Sequence, residues 1–261
     1  IDWAEAAGVE TASYMVAVPQ AAAMIGGPNP MQLAPGEQMC LRDALFSAML
    51  GSDNIAALAV ADGVGRKLLE RRGRSGDPVA EFVNEMNRLT KALGMRDTRF
   101  TNPHGLVAAP GKDYSTAADI AMLCIHAMRR PGFSFIVRQK QRQITVQGAA
   151  GPRGFKVINT NELLGETGIT GIKTGATAAA GPCLATNVER DPLVQDQPNG
   201  PNNGKLVTPR RLIVVVLNSP DRFGRTRALI SQGWAKFDQW KAAGSPVGDA
   251  RREFLVVPEV P

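Results

Sequence analysis

A lysine and a threonine stand in a stretch of the chain whose other side chains are mostly small. The stretch, Gly168 to Asn187, contains Lys173-Thr174-Gly175 and then a Gly-Pro break before a second strand-like segment. Two short β segments joined in this way are typical of a hairpin. A strand with small side chains lets an extended ligand lie against its backbone N–H and C=O groups. Lys173 and Thr174 would offer that ligand a positive charge and a hydroxyl, although a lone Lys-Thr-Gly triplet also fits an ordinary edge strand.

A second polar cluster, Ser52-Asp53-Asn54, separates two helical patterns. Apolar spacing predicts one helix over Leu41–Leu50 and another over 55–65 that ends at its two glycines. Such a break presents a hydroxyl and an amide into a cleft. The ordinary interpretation is that Ser52 or Asp53 caps the second helix. Both interpretations hold if Asp53 caps the helix while Ser52 and Asn54 face elsewhere.

Histidine and cysteine are too few to define a metal site or a disulfide framework. The chain has two histidines, His104 and His126, and three cysteines, Cys40, Cys124 and Cys183. Their spacing matches no metal-binding Cys-x-x-Cys pattern, and His104 is expected in a turn. We expect the proton shuttle to be Lys, Ser or a carboxylate, with no cofactor.

Helical patterns fill the first half of the chain. An amphipathic helix is predicted over 78–93, and a helix capped by Ser115 runs to about residue 130. The charged, Gly-rich segment 66–78 is typical of a solvated connector. From residue 133 onward the pattern favours β structure, with 191–209 rich in the Pro, Asn, Asp and Gly typical of a mobile hairpin tip.

The end of the chain combines a strongly apolar strand with a helix. Residues 211–218 predict a central buried strand, and 225–243 predict an amphipathic helix. Helices, then strands, then one closing helix fit an α/β sandwich in which one region is all-helical. We expect one catalytic domain over 1–243 and an extended tail over 244–261.

Composition indicates an ordinary globular core and disfavours both a transmembrane segment and a nucleic-acid-binding function. Apolar residues make up 44% of the 261, and no run approaches the length of a transmembrane segment. The net charge is +6, but Lys and Arg are scattered and aromatic residues are only 5%. We therefore expect no nucleic-acid partner.

Several segments together resemble a known family. Ser-Asp-Asn followed by Lys-Thr-Gly on a strand is similar to the penicillin-recognising serine enzymes. The finer resemblance is to the low-molecular-mass penicillin-binding proteins, the D-alanyl-D-alanine carboxypeptidases. Four segments match in the family's order: LAPGEQMCLRDALFSAMLGSDNIAALAVA, LGMRDTRFTNPHGL, YSTAADIAML and GITGIKTGATAAAGPCLAT. The resemblance implies a β-lactamase/transpeptidase-like α+β fold, with an antiparallel sheet flanked by helices.

The resemblance also implies catalytic roles for three residues. Ser52 matches the family's second active-site serine, which relays a proton to the leaving amine. Asn54 matches the asparagine that hydrogen-bonds the substrate amide and the catalytic lysine. Lys173 matches the strand lysine that attracts the substrate carboxylate and polarises Ser52.

The substrate-binding strand and the reaction follow from the same resemblance. Thr174, Gly175 and Ala176 would line the strand, with the backbone N–H of Ala176 as half of the oxyanion hole. The implied reaction transfers the acyl group of a peptidoglycan stem peptide to a serine and then to water, and β-lactams would bind the same site. We expect an extracytoplasmic protein with a signal peptide upstream of Ile1.

Two departures from the family pattern leave alternatives open. No serine in the sequence has lysine three places on, so the nucleophilic Ser-x-x-Lys is expected upstream of Ile1 or is lost; Ala176 stands where relatives often carry His. The alternatives are an inactive peptidoglycan-binding relative, a class A β-lactamase, and an unrelated basic binding protein. The sequence has no Glu-x-x-Leu-Asn stretch of the kind that a class A β-lactamase carries.

Overall fold

Seven helices and two antiparallel sheets occur in residues 1–106, 112–196 and 204–245, which a computed structural model describes. The helices are α1 Asp2–Ala6, α2 Leu41–Leu50, α3 Asn54–Arg71, α4 Pro78–Ala92, α5 Ala117–Met128, α6 Pro131–Val137 and α7 Arg222–Ala242, with a short 3₁₀ helix at Gln20–Met24. The strands are β1 Met15–Ala17, β2 Gln38–Cys40, β3 Gln141–Gly148, β4 Gly151–Ile158, β5 Ile169–Thr177, β6 Gly181–Asp196 and β7 Lys205–Val216.

The strands form a four-stranded sheet, β1-β2-β3-β4, and a three-stranded sheet, β5-β6-β7. Every neighbouring pair is antiparallel. The largest apolar core joins α1, α2 and α3 to the first sheet, and two smaller cores lie against the second. The α/β prediction with an antiparallel sheet, flanking helices and a helical region is confirmed.

The second predicted helix ends later than the sequence pattern indicated. Helix α3 continues through both glycines to Arg71, so the predicted end at residues 63–65 and the connector over 66–71 were wrong. The glycines serve close packing instead. A Cβ on Gly63 would lie 2.7 Å from a Val16 methyl, and one on Gly65 would lie 1.9 Å from the carbonyl oxygen of Pro78. Their absent side chains let β1 and the start of α4 approach α3.

Helix α4 matches its prediction, whereas the predicted cap of α5 and the predicted β structure at the position of α6 were wrong. Thr116, not Ser115, caps α5 by accepting a hydrogen bond from the Asp119 N–H at 3.1 Å, since the Ser115 hydroxyl bonds Thr98 at 2.8 Å. The predicted β structure from residue 133 was wrong at its start, where α6 lies. Val137 of that helix is fully buried, so tertiary packing overrides the β propensity of the apolar run.

The hairpins are longer than predicted. Gly148 pairs with Gly151, so a two-residue turn replaces the predicted flexible turn over 148–154. Strands β6 and β7 remain paired out to Asp196 and Lys205, so the predicted mobile loop over 191–209 was wrong for its strand portions. Its tip, 197–203, lies outside the described residues.

Strand β7 was predicted to be central, and this was wrong for the described residues, because it lies at an edge of its sheet. Its two faces pack against different helices: Ile213 and Val215 lie in the core that contains α5, and Leu212 lies in the core that contains Trp234 of α7. Most of the predicted tail, 246–261, lies outside the described residues. No single helix in the described ranges is long and apolar enough to cross a membrane. Helices α5 and α6 together pass that test of length and composition, but they meet at a 109° bend.

Candidate active site

Ser52 lies in the tight turn between α2 and α3, with a φ of 55°. The next residue, Asp53, is 1% exposed and caps α3 by accepting hydrogen bonds from the N–H groups of Ile55 at 2.9 Å and Ala56 at 3.0 Å. Burial raises the pKa of the Asp53 carboxyl. The prediction that Asp53 caps while Ser52 faces elsewhere is confirmed, and the cap fixes the turn that carries the serine.

Asn54 opens α3 and is buried. Its side-chain amide donates to the carbonyl of Gly26 at 3.1 Å, and its backbone N–H donates to Pro28 at 2.9 Å. These two contacts tie the segment before β2 to helix α3. In the described part of the chain, the hydrogen bond of the Asn54 side chain goes to Gly26 and not to Ser52.

Lys173 of β5 meets Ser52 across the boundary between the helical region and the second sheet. The Lys173 ammonium donates to the Ser52 hydroxyl, and also to the Thr174 carbonyl at 2.8 Å. Burial first, and then the positive charge of Arg222, lower the pKa of Lys173 to about 8. The lysine therefore carries a costly charge that an anionic ligand would stabilise.

Arg222 is a second cation beside the strand, and the sequence motifs did not identify it. It stands in the first turn of α7 and donates to the carbonyls of Gly175 at 3.0 Å and Cys183 at 3.4 Å. Its only sequence signal was its place just before the predicted closing helix. Lys173 and Arg222 together make this end of β5 electropositive.

Thr160 was also missed, in the segment that leads from β4 to β5. Its hydroxyl lies 2.5 Å from the hydroxyl of Thr174 and 3.5 Å from that of Ser52. Thr174 itself is 5% exposed. Three hydroxyls and one ammonium thus form a connected polar cluster, made of Ser52, Thr160, Lys173 and Thr174.

Gly175 and Ala176 continue β5 beyond the polar cluster and are exposed. They pair with Cys183 and Pro182 of β6 on one side. Among the described strands β5 has no neighbour on its other side, so part of its backbone N–H and C=O groups is open to an extended ligand. This is the bare strand that the sequence predicted.

Other candidate groups lie away from the cluster. The ring of His104 accepts a hydrogen bond from the Leu106 N–H at 3.2 Å, and His126 bonds the carboxylate of Asp2 at 2.8 Å. Burial raises the pKa of Cys124 to about 12. An apolar cavity of about 270 Å³ lies between α1 and the neighbouring helices, and no residue of the polar cluster lines it. Within the described ranges, no group of His, Cys, Asp or Glu has the arrangement of a metal site.

The fold is the β-lactamase/transpeptidase fold, as in the DD-transpeptidases. A family model described as D-alanyl-D-alanine carboxypeptidase matches residues 3–193. The chain belongs to this family.

Two curated relatives show the extent of the similarity. The carboxypeptidase DacF of Bacillus subtilis is 31% identical over 173 residues, which cover 65% of this chain and 39% of DacF. DacC of Escherichia coli is 28% identical over 215 residues, which cover 81% of this chain and 45% of DacC. The chain therefore spans about half the length, or less, of these relatives.

Solved structures agree with this assignment. The Streptomyces K15 DD-transpeptidase superposes with a TM-score of 0.70 at 25% identity, over 90% of this chain and 85% of that one. Penicillin-binding protein D2 of Listeria monocytogenes, solved with ampicillin bound, has a TM-score of 0.65 at 23% identity, over 89% of this chain and 81% of that one. The second match supports the fold alone.

Proposed function

We propose that the chain carries the substrate-binding strand and the proton relay of a serine-type D-alanyl-D-alanine carboxypeptidase. The observation that carries the proposal is the position of the Lys173 ammonium on the open edge strand β5. This ammonium donates to Ser52, and Arg222 of α7 lies beside it. The substrate would be a peptidoglycan stem peptide ending in D-Ala-D-Ala, and β-lactams would occupy the same place. We infer that residues 1–243 belong to one catalytic domain, whose Ser-x-x-Lys part is not among them, and that the protein works outside the cytoplasm, where this substrate lies.

The site has the groups needed to hold a peptide carboxylate. Lys173 and Arg222 supply positive charge, and Thr174 supplies a hydroxyl at the same end of β5. The peptide backbone would pair with β5, and the N–H of Ala176 would face the oxygen on which negative charge develops. Donors fixed before the reaction stabilise that charge without the cost of reorganising water.

Ser52 is suited to the proton transfers of the reaction. Because an ammonium donates and never accepts, the hydrogen bond from Lys173 leaves the proton of Ser52 free. Ser52 would give that proton to the departing D-alanine amine and recover one from the attacking group. Asn54 would support the turn and contact the substrate amide. The attacking serine of a Ser-x-x-Lys motif is not among residues 1–261.

The strand and its two neighbouring cations also fit a second candidate function. A relative that binds stem peptides without cleaving them would need the strand, Lys173 and Arg222, but no nucleophile. The two candidates share ligand binding and differ in acylation.

The test is reaction of the natural gene product with a fluorescent penicillin, compared with the same protein carrying Lys173→Ala. Loss of one charged contact in the transition state costs about 2–4 kcal/mol, so we expect a second-order acylation rate lower by roughly a hundredfold to a thousandfold. Lys173→Arg should restore little, because a planar guanidinium does not place its charge where a compact ammonium does. Lys156→Ala, at an exposed lysine of β4, is the matched control and should react like the wild type.

Two outcomes separate the candidates, and two others would reject the proposed site. Acylation together with release of D-alanine from an acyl-D-Ala-D-Ala peptide supports the carboxypeptidase. Peptide binding that depends on Lys173, without acylation, supports the non-catalytic relative. Wild-type reactivity in Lys173→Ala would show that the site lies elsewhere, and loss of the folded state in a thermal melt would show that the lysine is structural.

A further inference from the structure

Thr160 joins the two parts of the polar cluster, and neither its sequence position nor the family motifs give it a role. Its hydroxyl lies 2.5 Å from that of Thr174 and 3.5 Å from that of Ser52. These two partners belong to different parts of the molecule, the strand β5 and the turn after α2. We propose that Thr160 is a positioning residue that orients the Thr174 hydroxyl toward the carboxylate of the ligand. This inference rests on the proposed function.

The backbone holds Thr160 firmly although its side chain is exposed. Its N–H donates to the carbonyl of Leu50, the last residue of α2, at 3.1 Å. The side chain of Asn159 donates to the carbonyl of Gln139 at 3.0 Å, and that of Asn161 donates to the carbonyl of Gly171 at 3.0 Å. Thr160 is therefore anchored to the helical region on one side and to β5 on the other. A side chain held in this way keeps one direction relative to both partners.

The direction of the hydrogen bonds follows from the chemistry of the groups. A hydroxyl has one proton to donate and two lone pairs to accept with, whereas a carboxylate only accepts. If Thr174 donates its proton to the ligand carboxylate, its hydrogen bond with Thr160 must run from Thr160 to Thr174. Before the proton of Ser52 passes to a leaving amine, the oxygen of Thr160 can accept a hydrogen bond from Ser52, whose own oxygen accepts from Lys173.

Hydrogen bonds arranged in one direction strengthen each other, because each donor is polarised by the bond that it accepts. In the free protein the pair Thr160–Thr174 can adopt either direction. A bound carboxylate selects the direction in which Thr174 points outward. A C-terminal amide is neutral and presents a donating NH2 beside its accepting carbonyl, so it selects this direction less strongly and Thr160 should contribute mainly to recognition of the carboxylate.

The experiment measures binding of two ligands by titration in ¹⁵N-correlated NMR spectra, using an N-acyl-D-Ala-D-Ala peptide and the same peptide with a C-terminal amide. Thr160→Val keeps the shape of the side chain and removes its hydroxyl. We expect the dissociation constant of the carboxylate peptide to rise about tenfold, and that of the amide to stay within about twofold. Thr160→Ser should bind like the wild type, because it keeps the hydroxyl.

Thr145→Val is the matched control, since Thr145 is an exposed threonine on β3 and its side chain is outside the polar cluster. It should leave both dissociation constants unchanged. If Thr160→Val weakens both peptides equally, or if Thr160→Ser fails to restore binding, the role is structural and the proposal is overturned. If Thr160→Val lowers the melting temperature strongly, the same comparison is made with Thr160→Ala.

The outcome also distinguishes this inference from the proposed function. Lys173→Ala should weaken the carboxylate peptide more than Thr160→Val does. If Lys173→Ala binds the carboxylate peptide like the wild type, the proposed function fails and this inference fails with it. If Lys173→Ala loses binding while Thr160→Val does not, the proposed function stands and only the role of Thr160 is rejected.

Discussion

Ser52 and Asn54 lie in a capped turn of the helical region, whereas Lys173 and Thr174 lie on an edge strand of the smaller sheet. The helical side packs against the largest apolar core, and Asp53 and Asn54, which follow Ser52, are buried. The strand side ends in exposed small residues and has an open edge. One side of the site is fixed by packing and the other is left free for a ligand. The following substitutions test this difference, beginning with the largest expected effect.

The same change, glycine to alanine, should be costly in the helical region and nearly neutral on the strand. A Cβ on Gly65 would meet the Pro78 carbonyl oxygen at 1.9 Å, whereas one on Gly175 would meet no atom within 4 Å. Overpacking forces the backbone to move, so we expect Gly65→Ala to lower the free energy of unfolding by about 3 kcal/mol. Gly175→Ala should change it by less than about 0.5 kcal/mol. Urea unfolding measures both, and equal losses would refute the contrast.

Helix caps offer a second comparison, between a buried cap and an exposed one. Asp53 caps α3 and Asp77 caps α4, each by accepting two backbone N–H groups. Water can replace the carboxylate at the exposed Asp77 but not at the buried Asp53. We expect Asp53→Ala to cost about 2 kcal/mol and Asp77→Ala about 0.5–1 kcal/mol. Chemical denaturation of the two variants checks this, and a larger loss at Asp77 would show that burial does not decide the cost.

The strand side should respond to pH through Lys173. Its pKa of about 8 means that the ammonium is lost as pH rises through that value. Affinity for a carboxylate peptide should therefore fall about tenfold between pH 7 and pH 9, because only the protonated fraction binds. The C-terminal amide is the control ligand and should show a smaller change. A flat profile for the carboxylate peptide would mean that Lys173 is not its partner.

Folding stability should change in the opposite direction over part of this range. The folded state lowers the pKa of Lys173 from 10.5 to about 8, so the unfolded chain binds more protons between those values. The free energy of unfolding should rise with pH across this interval, and Lys173→Met should remove this contribution. Thermal melts of the two proteins at several pH values measure the difference.

The outer part of the β6–β7 hairpin should matter least. Val194 and Val207 pair there across the strands but are 55% and 53% exposed, whereas Val188 in the same sheet is 2% exposed. Replacing 193–208 by an Asn-Gly turn should move the melting temperature by no more than about 3 °C. Val188→Ala should cost about 2 kcal/mol and Val194→Ala much less. A large loss on shortening the hairpin would reveal a contact made by its tip.

Much of the architecture was predictable from local patterns. Helices α2 and α4 repeat apolar residues on one face, and the sequence marked the hairpin around Lys173 by its small residues and Gly-Pro break. The errors arose where packing outweighed local preference. Helix α3 runs through Gly63 and Gly65 because those positions need space for a neighbour rather than a helix end.

The sequence by itself determined the family and the two motifs, because Ser52-Asp53-Asn54 and Lys173-Thr174-Gly175 are local patterns. Only the tertiary structure decided which other groups meet them. Thr160 lies 108 residues after Ser52, and Arg222 contacts Gly175 across 47 residues. No periodicity relates residues so far apart, because the fold brings them together through the packing of whole helices and strands. The hydrogen bond from Lys173 to Ser52, separated by 121 residues, exists for the same reason.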